Sequence, residues 1–217
     1  AAFIAQEKGH QVTIYEASDK LGGNMRLAAY PPGKGDITNM IRSYIVRCQK
    51  AGVTIKMNQE VTLDLIREEK PDSVIVASGS RTLILPIEGI DNPAIIHGSD
   101  LLDGKRAAGK KVLVVGGGMV GCETAAFLGE QNHDVTVIEF RDTVGADVIH
   151  EHRVYLMKDF EDYKIKEITG AKVCKFYEDG VEYETADGQR HESRGYDSVI
   201  LSMGFRNYNP FGEEIKA

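Results

Sequence analysis

Cysteine is scarce in this sequence, and what there is lies scattered. Only Cys48, Cys122 and Cys174 occur. No two of them stand at the CxxC or CxxxxC spacings that hold zinc or an iron–sulfur cluster, or that form a redox disulfide. No metal site is expected, and a reducing cytoplasm is the expected compartment. Excess positive charge is missing too. Lys and Arg number 26 against 33 Asp and Glu, a formal net charge of -7, so neither nucleic acid nor an anionic membrane surface is an expected partner. No apolar run approaches the length of a bilayer span, and no secretory leader is visible. A starting Met is absent as well. Residues 1–8 already read as the middle of a helix, so the chain is expected to be a piece of something longer.

What is present points to an α/β fold. Hydrophobic residues make up 42% and charged residues 27% of the 217, enough for a buried core under an ordinary surface. Gly9 ends the first helix and residues 11–16 read as a strand. Ile37, Met40, Ile41, Tyr44, Ile45 and Cys48 recur at helical spacing over residues 36–51. A short strand at 53–57 and a helix at 63–69 follow, the latter stopped by Pro71. Residues 74–77, Val-Ile-Val-Ala, read as a strand buried on both faces. Residues 80–110 read as a connection with short strands and a small helix near Asp100. A second α/β unit then begins: strand 111–115, helix 119–131, strand 135–139, helix 148–160. The period next changes to three short strands, 172–177, 181–185 and 190–193, joined by the turns Glu178-Asp179-Gly180 and Ala186-Asp187-Gly188. Residues 197–201 form a last buried strand.

Two stretches occur almost twice. Residues 71–79 resemble 196–204, and residues 9–16 resemble 132–139. The expected organisation is therefore two tandem Rossmann-like dinucleotide-binding domains. Residues 1–104 form the incomplete first domain and a connection, 105–204 the second domain with a three-stranded antiparallel crossover, and 205–217 a truncated return toward the first.

The second copy carries the turn Gly116-Gly117-Gly118-Met119-Val120-Gly121. A phosphate at a helix N-terminus is held by free backbone N–H groups and the positive end of the helix dipole. Side chains must be absent for the backbone to come close. Gly116 permits the tight turn, Gly118 lets a diphosphate approach, and Gly121 lets helix and strand pack. The turn follows an apolar strand and opens a helix, and Glu139 ends the next strand 23 residues after Gly116, near the roughly 20 expected of the acid that binds the adenosine ribose. That carboxylate repels a 2′-phosphate, so NADH is expected over NADPH. Arg141 could meet such a phosphate or stand as a solvated loop cation. Glu123 could sit near the nicotinamide end or serve as a favourable charge near the helix start. His150 and His152 read as solvated side chains, and Cys122 as a small packing residue.

Together these residues resemble the flavin- and pyridine-nucleotide-dependent reductases, and within them the C-terminal module of the 2,4-dienoyl-CoA reductase and 2-enoate reductase group. The stretch from Tyr15 through Glu16, Leu21, Gly22, Gly23 and Arg26 to Ala28, then Pro31-Pro32-Gly33-Lys34, is similar to that group's FAD-ribose acid, paired glycines and following turn. The resemblance implies that Glu16 holds the FAD ribose, that Gly22 and Gly23 lie by its phosphates with Arg26 nearby, and that Val61 touches the adenine through its backbone. It makes residues 1–104 a partial FAD-binding domain with its connection and 105–204 the NAD(P)-binding domain, and it places Ala77, Ser78 and Gly79 at the crossover between them. Gly116, Gly118, Met119, Val120, Gly121 and Glu139 would bind NAD, and Gly204 would close that domain. It also implies hydride transfer from NADH to FAD, then passage of electrons through an iron–sulfur cluster to FMN in an N-terminal barrel domain, which reduces an activated C=C bond. No side chain here is expected to act as acid or base. The FAD glycine turn would precede Ala1 and the later FAD motif would follow Ala217, so weak or absent FAD binding is expected of these residues alone. Two other readings stand beside this one: a non-catalytic nucleotide-binding or docking module, and another FAD-dependent NADH oxidoreductase without a redox disulfide.

Overall fold

The structure is a computed structural model that describes residues 1–212 and 214–216. It divides into two compact units, one of Ala1–Ala29, Gly33–Ser80 and the residues from Asn207 onward, the other of Tyr30–Pro32 and Arg81–Arg206. Within the expected return segment 205–217, Glu213 and Ala217 lie outside the described residues.

The first unit runs α1 (Ala2–Glu7), β1 (Thr13–Glu16), α2 (Asn24–Leu27), α3 (Asp36–Ala51), β2 (Thr54–Met57) and α4 (Leu63–Glu69). Strands β1 and β2 pair in parallel, Thr13 opposite Thr54 through Glu16 opposite Met57. Gly52 ends α3 in the left-handed conformation, φ 81°, which glycine adopts without a Cβ penalty. Thr62 begins α4 by accepting a hydrogen bond from the Leu65 N–H. Phe3 of α1 stacks on Tyr44 of α3.

One expectation fails in this unit. Residues 74–77 form no strand and are not buried; Ile75 is 72% exposed, and Val74 and Val76 are exposed beside it. The sequence pattern is that of a central strand, but a strand exists only when neighbours take up its N–H and C=O groups. Among the described residues no strand pairs with this segment.

β3 (Ser80–Thr82) lies where the chain passes into the second unit, which continues with β4 (Ile96–His97), α5 (Gly98–Leu102), β5 (Lys111–Val115), α6 (Met119–Glu130), β6 (Asp134–Ile138), α7 (His150–Asp162), β7 (Lys166–Ile168), β8 (Lys172–Tyr177), β9 (Gly180–Glu184), β10 (Arg190–Ser193), β11 (Ser198–Leu201) and β12 (Phe205–Asn207). Its centre is a five-stranded sheet in the order β4-β11-β5-β6-β7, each adjacent pair parallel. Residues 81–104, read from sequence as a connection attached to the first domain, cluster with this unit and supply its edge strand β4.

The alternation of side chains along a strand explains why β5 is apolar throughout. Val112 and Val114 face a helical layer, packing with Ala125 and Leu128 of α6 and Leu156 and Phe160 of α7. Leu113 and Val115 face the opposite way, packing with Val173, Phe176 and Val181 of the antiparallel sheet β10-β9-β8. Each such buried aliphatic side chain contributes about 1.5–3 kcal/mol. The antiparallel strands fall within one residue of the expected positions. Strand β7 is the exception: the sequence reading has no strand between the helix at 148–160 and residue 172, yet Lys166–Ile168 form the edge strand paired with β6.

Candidate functional site

Strand β5 delivers the chain into the glycine turn at the C-terminal end of the central strand. Gly116 has φ 105°, and a Cβ there would lie 2.5 Å from the Ser202 carbonyl oxygen, so strain and space both require glycine. Gly121 is constrained more tightly, since a Cβ would fall 1.7 Å from the Gly116 carbonyl oxygen. The first turn of α6 is thus pressed onto the backbone of its own entry loop. Gly118 is the residue before α6, which begins at Met119 with no side-chain cap from within that turn. Met119 is exposed and Val120 half-buried. The chain therefore presents helix-start N–H groups at the end of a parallel strand, where an anion is favoured by hydrogen bonding and by the dipole together.

Glu139 follows β6 and turns back toward this loop. Its Oε2 accepts the Gly117 N–H at 2.6 Å and its Oε1 accepts the Arg141 N–H at 3.0 Å. Its own backbone is fixed on both sides, the N–H donating to the Ile168 carbonyl and the C=O accepting from Ala171. The carboxylate is therefore held at the mouth of the glycine turn. The Arg141 side chain is exposed and lines a cavity of about 500 Å³ with Phe140, Asp142, Lys172, Glu184 and Thr185. Phe140 projects there, 69% exposed. Gly204 has φ 95°, and its carbonyl accepts the Leu83 N–H.

Two sequence readings need correction. Glu123 is not in the first turn of α6, so it is no dipole-end charge at the helix start. It is the fifth residue of the helix, 7% exposed, and its Oε1 lies 3.0 Å from the His152 Nε2 of α7. His152, read as solvated, is half-buried for the same reason: helix packing turns a polar residue inward where a carboxylate awaits it. Cys122 is fully buried with its Sγ on the Gly117 carbonyl at 3.2 Å. Burial pushes its thiol up to about 12, with the nearby Asp147 carboxylate adding to the rise, so the helix N-terminus does not make it reactive.

Other features of the site carried no signal in the sequence. Asp147 lies in the loop before α7, yet its Oδ1 accepts the Met119 N–H at 2.9 Å. The same loop returns a second bond, Gly145 N–H to the Gly117 carbonyl at 2.7 Å. Both contacts are tertiary, and no periodicity or spacing marks them. At the C-terminal ends of β11 and β4, Ser202 Oγ and His97 Nδ1 are buried without a hydrogen-bond partner among the described residues.

In the first unit, Glu16 ends β1 and accepts from the Ser18 N–H and hydroxyl, both at 2.8 Å. Gly22 and Gly23 have φ 112° and 48° and lead into α2, where Arg26 lies. A Cβ on Gly22 would lie 3.0 Å from side-chain atoms of both Arg26 and Ile41. Val61 is half-buried in the loop before α4. Ala77, Ser78 and Gly79 are exposed; Ser78 Oγ donates to the Tyr208 carbonyl, and the Tyr208 N–H returns to the Gly79 carbonyl. Among the described residues no cluster of His, Cys, Asp and Glu could hold a metal, and all three cysteines are free.

A parallel α/β sheet whose central strand turns through glycines into a helix, with a carboxylate at the end of the neighbouring strand, is consistent with a Rossmann-type dinucleotide-binding domain. Residues 1–216 match the pyridine nucleotide-disulphide oxidoreductase family, and the chain belongs to it. The chain is 33% identical to bilirubin reductase of Mediterraneibacter gnavus, over 95% of this chain and 32% of that protein. It is 33% identical to NADH oxidase of Thermoanaerobacter brockii, over 100% and 33%, and 30% identical to cinnamate reductase of Clostridium sporogenes, over 100% and 32%. Among solved structures it superposes on 2-naphthoyl-CoA reductase in complex with 2-naphthoyl-CoA, with TM-score 0.91 and 32% identity over 99% of this chain and 33% of the other. The chain thus spans about a third of the length of these relatives. No helix among the described residues is long and apolar enough to cross a membrane.

Proposed function

We propose that this chain is the NADH-binding, FAD-linked electron-input module of a flavoprotein oxidoreductase that reduces activated C=C bonds. The observation that carries the reading is the Glu139 carboxylate, hydrogen-bonded to the Gly117 N–H at the mouth of the turn. There it can grip the adenosine ribose while the start of α6 takes the diphosphate. The names of the cinnamate and 2-naphthoyl-CoA reductases support the C=C chemistry, and that of the NADH oxidase supports the choice of NADH.

The residues fit a dinucleotide. Gly116, Gly118 and Gly121 remove the side chains that would obstruct it, Met119 and Val120 supply backbone N–H groups, and Glu139 and Arg141 border the ribose position. Gly204, Ser202 and Glu123 lie on the elements that follow or flank the turn. In the first unit Glu16 stands for the FAD ribose, with Gly22, Gly23, Arg26 and Val61 for the rest of that nucleotide, and Ala77, Ser78 and Gly79 mark the passage between two tandem Rossmann-like domains. The bound cofactors supply the chemistry, a hydride leaving the nicotinamide for the flavin. The chain's share is to bind and orient, and no side chain need hold or move a proton for that step. FMN and an iron–sulfur cluster belong, on this reading, to a barrel domain outside this sequence.

A second reading has an observation in its favour. Residues 74–76 are exposed and unpaired, and the β1–β2 sheet of the first unit has only two strands among the described residues. A flavin site supported so thinly suits a nucleotide-binding or docking module. Measuring NADH oxidation with added FAD and an artificial electron acceptor separates the two. Turnover supports the electron-input reading; NADH binding without turnover supports the docking reading.

A further inference from the structure

Asp147 occupies the N-terminal end of α6, beside Gly118. Its Oδ1 takes the N–H of Met119, the first residue of α6, at 2.9 Å. Its Oδ2 and Oδ1 lie 3.2 and 3.4 Å from the point where a side chain on Gly118 would begin. The carboxylate therefore fills the space that Gly118 leaves open. It is held there by its loop. Gly145 donates to the Gly117 carbonyl at 2.7 Å, and Arg153 of α7 reaches back to the Thr143 hydroxyl at 3.0 Å and the Val144 carbonyl at 3.2 Å. Val144 and Val148 on either side are buried in the core between the sheet and α6 and α7. Asp147 itself is exposed, so its side chain can swing into solvent while the loop stays anchored.

We propose that Asp147 is a built-in competitor for the diphosphate and sets the affinity of the site. This rests on the NADH-binding reading above and deepens it. One N–H cannot serve two acceptors at full strength, and two anions at one helix N-terminus repel each other. The incoming diphosphate must displace the carboxylate, and the carboxylate returns when the nucleotide leaves. Affinity is lowered and release is hastened by the same exchange. Glu139 takes the Gly117 N–H and leaves that of Met119 to Asp147.

The test is a binding titration of the intact protein with three probes: NADH, ADP-ribose, which keeps the diphosphate, and adenosine, which lacks it. Two variants are compared with the wild type. Asp147→Asn keeps the shape and removes the charge; Asp147→Ser removes the reach as well. Both are expected to bind NADH and ADP-ribose about three- to tenfold more tightly, the scale of one partly screened charge close to the ligand, and to bind adenosine unchanged. The gain should shrink as salt is raised. A residue that merely braced the loop would give weaker binding of every probe on substitution. Equal or weaker binding of ADP-ribose by both variants overturns the proposal while leaving the site intact. Failure of the wild type to bind either NADH or ADP-ribose overturns the underlying reading instead.

Discussion

A thiol one turn into a helix that opens from a glycine turn is usually suspected of reactivity, and Cys122 shows what burial does to that suspicion. Its Sγ is fully enclosed and its pKa lies at about 12, above the ordinary 9.0. The folded state therefore keeps the proton that the unfolded chain gives up. The stability this implies is fully present below about pH 9 and is lost as pH rises from there toward about 12. Cys122→Ala is expected to remove that component of the alkaline loss in urea melts recorded at pH 7 and pH 10. In native protein an alkylating agent is expected to spare Cys122 and to modify it only in denaturant. Modification of Cys122 in the folded protein at neutral pH would contradict the account. Gly116 and Gly121 were legible as glycines because each sits where backbone leaves no room for a side chain, as the 1.7 Å approach at Gly121 shows. Glu139 was legible because the ladder of β5 and β6 fixes how far apart turn and acid must fall. Asp147 and His152 were not, because each is defined by a partner brought near only by folding.

Between elements, α6 and α7 are tied by the Glu123–His152 hydrogen bond, at 3.0 Å and largely out of solvent. His152→Ala takes one partner from a buried carboxylate, at a cost of about 1–3 kcal/mol, read as a lower urea midpoint with an unchanged slope. His152→Gln, which can still donate, is expected to recover part of it. Unchanged stability in His152→Ala would show that the contact is incidental. The strands of the second unit were readable because their patterns differ in kind: unbroken apolar runs for β5 and β11, and alternation punctuated by Asp-Gly turns for β8 to β10. Strand β7 escaped because three edge residues, mostly exposed, carry no pattern. Residues 74–77 carried the pattern of a buried strand and form none, since pattern records what a segment can pair with and pairing needs the neighbour itself.

For the whole molecule, the two units differ in how much core they hold. Val112 to Val115, Val199 to Leu201 and their helical and antiparallel layers give the second unit a doubly covered sheet, whereas the buried hydrophobic residues of the first unit are Cys48, Val53 and Phe211 among those described. A nucleotide site built on the second is therefore expected to stand on its own. The flavin site expected on the first is not: the purified 217-residue chain should lack a stoichiometric flavin absorption band, and such a band would contradict this assessment of the first unit. The central claim concerns the turn from Gly116 to Gly121 and the acid beside it. Calorimetric titration with NADH and NADPH, on the wild type and on Glu139→Ala, tests it most directly. The wild type is expected to bind NADH more tightly than NADPH, and the substitution to weaken NADH about tenfold or more, the scale of hydrogen bonds to a charged group, while narrowing the gap to NADPH. No heat of NADH binding in the wild type, or NADH affinity unmoved by the loss of Glu139, would contradict it.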